Sequence, residues 1–439
     1  MNITKTPFLL RACALALAAT LAAAPLAAAP KQSKGKAKAQ VREQDRATET
    51  ATTSFPSSAK PDSVTLTWTD DPATTQTIRW RTNATITTGT VAFMPGDTAT
   101  FNPAAAQKTP ATTQTLNTPN ITNDPAINFH TATLTALAPA TRYTYAVGDG
   151  TPAGWTPPQT FTTAPAPASP GKPAQPYSFI YIGDSQGGGP KWGDMMRAAV
   201  KKAPDAAFVA IAGDLVNFGL QRDTYDDFFR NAKGLFDTRS VVPTPGNHDY
   251  HGGNSRIYQS EFALRANGPK NIPPGLAYSF EYSDSLFIVL DANRNLAAQA
   301  TWLEQLLHDT KATWKFVLYH QPAYDSREGR SNPEVIRQWV PIFDKYHVDL
   351  ALQGHDHAYL RTYPMRDSKR VATPAEGTIY MITFSCPKHY EQAPHDYTEV
   401  GFPDVPTWQL IDITPATRTL RLRAYDASGK IRDEFTIKK

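Results

Sequence analysis

The sequence predicts a small all-β domain followed by a larger α/β domain with buried sheets, and three observations predict it. Residues 61–163 alternate polar and apolar side chains in short runs. Residues 164–176 are rich in Ala, Pro, Ser and Gly. From Tyr177 onward, apolar strand-like runs alternate with amphipathic helical stretches, the pattern of sheets covered by helices. A length of 439 residues suits two or three domains, and 41% hydrophobic residues suffice for their cores. Charged residues are 19% of the chain, with a formal net charge of +4. That balance excludes a mainly disordered chain and offers no basic surface for nucleic acid.

From the N-terminus, Lys5 and Arg11 flank the start of an apolar stretch whose run from Ala12 to Ala24 is followed by small residues as far as Ala27-Ala28-Ala29. Residues 1–30 read as a signal peptide, and the mature chain as secreted or periplasmic, with no membrane span after cleavage. Pro25 and the shortness of the run argue against an uncleaved anchor. Residues 31–60 are rich in Lys, Ala, Gln, Ser and Thr and read as a disordered leader. Cys13 would leave with the signal, so Cys386 has no partner for an internal disulfide. It lies just beyond the apolar run Ile379–Phe384 and reads as a buried thiol, not a nucleophile.

Within 61–163, runs such as Val64-Thr65-Leu66-Thr67-Trp68 and Thr77-Ile78-Arg79-Trp80 read as short strands. The stretch from Leu137 to Val147 resembles the corner and strand of a fibronectin type III sandwich, in which a Tyr hydroxyl ties back to nearby backbone. Phe161-Thr162-Thr163 reads as its last strand, and His130 as a structural histidine. Residues 164–176 form a semi-stiff linker. In 177–439, strands are expected at Phe179–Ile182, Phe208–Ile211, Val241–Val242, Leu286–Leu290, Phe316–Leu318 and Val348–Leu352. Helices are expected over 191–203, 221–236, 297–309 and 333–346. In the last of these, Val335, Ile336, Trp339, Val340 and Phe343 share a face. Residues 407–437 read as strands that close the domain.

Five polar motifs each begin where an apolar run stops: Gly183-Asp184-Ser185-Gln186, Gly213-Asp214, Gly246-Asn247-His248-Asp249, His320, and Gly354-His355-Asp356-His357. Open α/β sheets bind ligands at the carboxyl ends of their strands. A lone Gly-Asp or a lone His is weak evidence, but five strand ends delivering Asp, Asn and His to one edge are not a packing pattern. These are oxygen and nitrogen ligands for divalent metals, with no thiolate among them. The glycines permit the tight turn and close backbone approach that a small cluster needs. His355 and His357, two apart on extended backbone, point to one side.

These motifs resemble those of the calcineurin-like metallophosphoesterases. Residues 61–439 as a whole resemble the purple acid phosphatases, which also carry a fibronectin-like domain ahead of the catalytic one. The resemblance implies a β-sandwich flanked by helices on both outer faces, with a centre of two divalent or trivalent metal ions (Fe, Zn or Mn). Asp184, Asp214 and His357 would hold the first metal; Asp214 would bridge to the second, with Asn247, His320 and His355. His248 would stand beside the substrate phosphate as general acid or electrostatic clamp, and Asp249 would orient it or cap the loop.

Two positions depart from the pattern. Purple acid phosphatases have a colour-giving Tyr three residues after the bridging Asp, where this chain has Asn217, so no purple band and no secure ferric site are expected. The wider superfamily has His two residues after the first Asp; here Gln186 stands there, as a weak metal ligand or a water-positioning group. The implied reaction is hydrolysis of a small-molecule phosphate monoester by hydroxide activated between the metals. A phosphodiesterase on the same scaffold and a non-enzymatic secreted adhesion protein are the alternatives. Tyr324 and Arg327, in the segment after His320, are the expected substrate contacts. His251 is placed as an outer residue of the third motif, His389 and His395 in a Pro-containing loop, and Tyr359 and Arg361 as locally packed or paired.

Overall fold

The computed structural model describes residues 49–169, 173–250 and 254–439. The expected signal peptide, the leader up to residue 48 and His251 lie outside the described residues.

The short alternating runs of the first domain become β1 (Asp62–Thr67), β2 (Gln76–Asn83), β3 (Thr90–Pro95), β4 (Gln107–Pro110), β5 (Thr112–Asn117), β6 (Ala126–Leu134), β7 (Arg142–Gly148) and β8 (Gln159–Thr162). Alternation turns Leu66, Ile78, Trp80 and Leu134 of one sheet onto Val91, Phe93, Tyr143 and Tyr145 of another, and the core lies between them. The Tyr143 hydroxyl accepts the Ala138 N–H at 2.9 Å, the backbone tie expected of this stretch. His130 is buried between the hydroxyls of Thr82 and Thr113, at 2.8 and 2.9 Å, and burial lowers its pKa to about 4. It is a structural residue, as read from the sequence.

The larger domain contributes β9 (Tyr177–Ile182), β10 (Ala206–Ile211), β11 (Ser240–Pro243), β12 (Tyr278–Tyr282), β13 (Ser285–Val289), β14 (Trp314–Leu318), β15 (Leu350–Gln353) and β16 (Tyr359–Thr362). A small hairpin, β17 (Met365–Arg366) and β18 (Lys369–Arg370), precedes β19 (Ile379–Ile382), β20 (Thr398–Phe402), β21 (Thr407–Thr414), β22 (Thr419–Asp426) and β23 (Ile431–Lys438). Strands β9, β10 and β11 run parallel in one sheet; β13, β14, β15 and β19 run parallel in the other. Covered on both faces, these strands are continuous apolar runs. Phe179 and Phe208 from the first sheet meet Phe287 and Phe316 from the second, with ring centroids 4.7 to 5.5 Å apart. Such pairs add roughly 0.5–1.5 kcal/mol each beyond their buried area. Helices Gly189–Lys202 and Arg222–Asn231 cover the outer face of the first sheet. Helices Leu296–Asp309, Pro333–Gln338 and Val340–Tyr346 cover that of the second. The fold is the expected sandwich with helices on both outer faces.

Three features differ from the sequence reading. Among the described residues, β1 pairs in parallel with β11, so one sheet of the first domain continues into the larger domain as ten strands. The expected helix 333–346 is broken at Trp339, because Pro341 has no N–H to give to the preceding turn and its ring crowds the carbonyl four residues back. Residues 49–60 are not a free leader. Ala51 bridges to Ile121, the buried Thr53 hydroxyl donates to Asp226 at 2.7 Å, and Ser57 gives its N–H and hydroxyl to Asp124, both at 2.8 Å. A composition poor in large apolar residues missed this segment because hydrogen bonds to buried carboxylates, not apolar area, hold it.

Candidate metal centre

Five strand ends converge. Asp184 follows β9, Asp214 follows β10, Asn247 follows β11, His320 follows β14, and His355 and His357 follow β15. Asp184, Asp214, His320 and His357 are buried, and His355 is partly so. Among the described residues, two groups could hold a metal ion: Asp184, Asp214 and His357, and Asp214, His320 and His355. Within each group the ligand atoms lie within 4.8 Å of one another. Asp214 belongs to both.

The backbone is bent to achieve this. Asp184, Asp214, His355 and His357 all have positive φ, at 47°, 52°, 78° and 47°. Left-handed backbone costs a non-glycine residue of order 1 kcal/mol or more, and four such residues at one edge mark a functional constraint. Two glycines make room. Gly213 has φ +80°, and a Cβ there would lie 2.6 Å from His320 Nδ1. A Cβ at Gly246 would overlap the Asp214 carboxylate and amide.

Hydrogen bonds then aim the ligand atoms. His320 donates Nδ1–H to the Ala212 carbonyl at 2.6 Å, and His357 donates Nδ1–H to the Lys388 carbonyl at 2.8 Å. Both rings therefore turn Nε2 inward, the tautomer a metal requires. His320 Nε2 stands 3.1 Å from Asp214 Oδ2, and His357 Nε2 stands 3.4 Å from Asp184 Oδ1. His355 presents Nδ1, 3.2 Å from His320 Nε2. The His355 N–H donates to Asp184 Oδ2 at 2.7 Å, and the His248 N–H to Asp214 Oδ1 at 2.8 Å.

The electrostatics are those of a cation site. Burial, with Asp214 nearby, pushes the Asp184 carboxyl up. Burial also opposes charge on Asp214, but His320, His248 and His355 outweigh it and hold this carboxyl below the usual range. Burial disfavours charge on His320 too, yet Asp214 raises it to about 9. Burial lowers His357 to about 4 and pushes His355 well down. Three acceptor atoms here are buried and have no hydrogen-bond partner: Asp184 Oδ1, Gln186 Oε1 and Asn247 Oδ1. An orphaned buried acceptor costs about 1–3 kcal/mol, and a bound cation relieves it. The donor set, the aimed tautomers and these orphans fit a pair of metal ions.

The remaining expected site residues separate. Gln186 lies at the centre, with Nε2 3.0 Å from Asp214 Oδ2 and 3.2 Å from His357 Nε2; a half-turn of its amide brings Oε1 to that position. His248 has Nδ1 2.9 Å from the Asn217 carbonyl and Nε2 4.0 Å from Asp214 Oδ2. Asp249 is not its orienting partner. Its carboxylate accepts the N–H groups of Gly246 and Leu215, at 2.8 and 3.3 Å, and the Tyr225 hydroxyl at 3.0 Å. It caps the loop, and burial raises its pKa to about 7. Asn217 is exposed and supplies its backbone carbonyl to His248.

Tyr324 is corrected from substrate contact to core: it is 4% exposed and packs on Tyr380 and Tyr397. The alternation of its loop hid an inward-facing side chain. Arg327 stays at the rim, with its guanidinium 4.1 Å from the Tyr390 ring centroid. Cys386 is buried, with Sγ 3.4 Å from His357 Nδ1, and burial raises its pKa to about 12, which leaves no thiolate for a nucleophile. Tyr359 and Arg361 pair not with chain neighbours but with Asp433 of β23, at 2.8 and 2.7 Å. The sequence reading missed the carbonyls of Ala212 and Lys388, since any residue type offers one. It also missed Tyr390, for which the only signal was its place in the Pro-containing loop.

At its strand ends the helix-flanked sandwich carries two candidate metal-ligand groups that share one carboxylate. Residues 177–359 match the family Calcineurin-like phosphoesterase, and residues 61–163 match the family Purple acid Phosphatase, N-terminal domain. By these two matches the larger domain is similar to the calcineurin-like phosphoesterases and the first domain to the N-terminal domain of the purple acid phosphatases. The chain is 32% identical over 279 residues to an uncharacterized protein of Mycobacterium tuberculosis, covering 54% of this chain and 51% of that protein. It is 26% identical over 359 residues to probable inactive purple acid phosphatase 1 of Arabidopsis thaliana, covering 71% and 57%. The chain thus spans about half the length of the curated relatives it matches. The solved structure of purple acid phosphatase PPD1 from yellow lupin seeds shares the fold, with a TM-score of 0.74 and 20% identity over 86% of this chain and 74% of that one. Among the described residues, no helix is long and apolar enough to cross a membrane.

Proposed function

We propose that this chain is a secreted or periplasmic phosphatase that hydrolyses small-molecule phosphate monoesters at a centre of two metal ions. The observation that carries the reading is the pair of metal-ligand groups sharing Asp214. Asp184, Asp214 and His357, with Gln186, would hold one ion; Asp214, Asn247, His320 and His355 would hold the other. Such ions, when bound, acidify water and offset the charge that develops on phosphate oxygens. The chain's own groups do the rest. His248 Nδ1–H, held by the Asn217 carbonyl, makes Nε2 the nitrogen that gains and loses a proton, next to Asp214. From there it serves the leaving oxygen as an acid. Asp249 keeps the His248 loop against the Asp214 loop. The two-sheet unit of β1–β8 is proposed as a fibronectin type III-like spacer.

Because Asn217 occupies the place of the colour-giving tyrosine and is exposed, the purified protein is expected to lack a purple absorption band, with Fe, Zn or Mn bound. The test is elemental analysis of protein purified without chelator, beside hydrolysis of an aryl phosphate monoester and diester. Close to two metals per chain and a monoester preference support the reading. A diester preference moves it to a phosphodiesterase. Absence of metal and activity after adding back Mn, Zn or Fe leaves a non-enzymatic adhesion role.

A further inference from the structure

Beyond the metal ligands, basic side chains gather on one aromatic ring at the solvent edge of the site. The Tyr390 ring leans on His357, with centroids 4.9 Å apart, and its N–H donates to the His357 carbonyl at 3.2 Å. The Arg327 guanidinium is 4.1 Å from the Tyr390 ring centroid and the Lys388 ammonium 5.0 Å. Arg330 is 5.9 Å away but already committed, bonding Asp356 at 2.7 Å and the His355 carbonyl at 3.1 Å. Among the described residues, no carboxylate lies within 4.0 Å of Arg327 or Lys388. An aromatic face attracts an exposed cation by only about 0.5–1 kcal/mol. That positions these two charges without neutralising them.

Their placement is fixed by backbone. The Ala393 N–H donates to the Ser326 carbonyl at 2.8 Å, the Tyr397 hydroxyl donates to the Asp325 carbonyl at 2.7 Å, and the Ser326 N–H donates to Asp356 at 2.6 Å. The loop that carries Lys388 and Tyr390 and the loop that carries Arg327 are thereby tied to each other and to the motif that holds His355 and His357.

We propose that Arg327 and Lys388, seated on Tyr390, form a subsite for a second anionic group, so that the preferred phosphate ester has a leaving group bearing a carboxylate or a second phosphate. This rests on the phosphoesterase reading and names its substrate class. A guanidinium fork takes either anion through two hydrogen bonds, and an ammonium adds a point charge. A neutral leaving group gains nothing from either cation.

The test is isothermal titration of the metal-loaded full chain with phenylphosphonate, meta-carboxyphenylphosphonate and meta-phenylenediphosphonate, none of which can be hydrolysed. The second anion is expected to tighten binding about tenfold or more over phenylphosphonate. Combined Arg327→Gln and Lys388→Gln substitutions should bring that ratio near one, and Arg327→Lys, which keeps the charge, should retain most of it. A ratio near one in the unaltered chain, or a ratio that survives both glutamines, overturns the proposal. Whichever of the two tighter ligands binds better separates carboxylate from phosphate. Binding with the expected ratio but no hydrolysis of aryl phosphate would overturn the phosphoesterase reading and leave the subsite standing.

Discussion

Asp214 and Asp226 are both buried carboxylates beside basic side chains, yet their clusters are built differently. Around Asp226, at the junction of the two domains, both carboxylate oxygens of Asp226, Asp62 and Asp124 have partners. Asp226 takes Arg81 and the Thr53 hydroxyl; Asp62 takes Arg81 through both oxygens; Asp124 takes Arg222 and Ser57. The arginines there leave orphaned donors, the Nε atoms of Arg79 and Arg222, which repel a cation, and the orphaned Asp223 Oδ1 beside them sits on ordinary helical backbone. None of these residues has positive φ. Around Asp214 the orphans are acceptors and four ligand residues are strained. Burial and charge alone do not mark a site. Unpartnered acceptors on strained backbone do, because something absent from the protein must repay them.

The largest test of that difference is Asp214→Asn. Removing the shared ligand should cost both metals and slow aryl phosphate hydrolysis by about a thousandfold, on the order of 4 kcal/mol. In the unaltered chain, a chelator should remove activity and lower the melting temperature, because ions that bind only the folded state stabilise it. Neither effect should appear in Asp214→Asn. A variant that keeps its metals would break the comparison at its root.

Asp226→Asn should do the reverse. It takes one of two charge partners from Arg81 and from Arg222, which keep Asp62 and Asp124, so the loss should be a fraction of the roughly 3–5 kcal/mol that breaking a buried pair outright costs. Urea unfolding should show that loss, while metal content per folded chain and its response to chelator match the parent. Metal loss from folded Asp226→Asn would mean that the two clusters are one unit.

Much of this was legible in the sequence because it is local. Strand ends, glycines before ligands and the order of five motifs are carried by neighbouring residues, and so were both sheets of the sandwich. What stayed hidden is long-range. The Asp226 network joins residues 53, 81, 124 and 222, which no spacing rule connects. The β1–β11 pairing that fuses the sheets rests on Leu66 opposite Ser240, and nothing near either announces it. Asp249 reads like a catalytic partner of His248 until its two oxygens are seen on Gly246, Leu215 and Tyr225.

Gly246→Ala separates strain from charge. It changes no ionisable group, but its methyl would occupy the space of the Asp214 carboxylate. Displacing that ligand by a fraction of an ångström should weaken metal retention and cost roughly a hundredfold in rate. Elemental analysis beside kinetics reads both. Full activity would show that the close approach at 246 is not what shapes the centre.

The smallest effect tests the paired cluster from within. Glu261 is buried beside it, and burial, with Asp226 adding to it, raises its pKa to about 8 against the pull of Arg81, Arg79 and Arg222. A folded pKa above the unfolded value means that its stabilising contribution is full below about pH 4.5 and is lost as pH rises through about 8. Glu261→Gln is neutral at every pH, so it should match the parent at the acid end and gain on it steadily towards pH 8. The difference should reach at least about 1 kcal/mol in urea unfolding, since one pKa unit is worth about 1.4 kcal/mol. Asp184 is also pushed up by burial, but its orphaned oxygen and positive φ assign it to a cation instead of a proton. Added Mn or Zn should therefore leave the pH difference at Glu261 untouched. A metal-dependent difference would place Glu261 with the ligands and erase the line between the two kinds of buried charge.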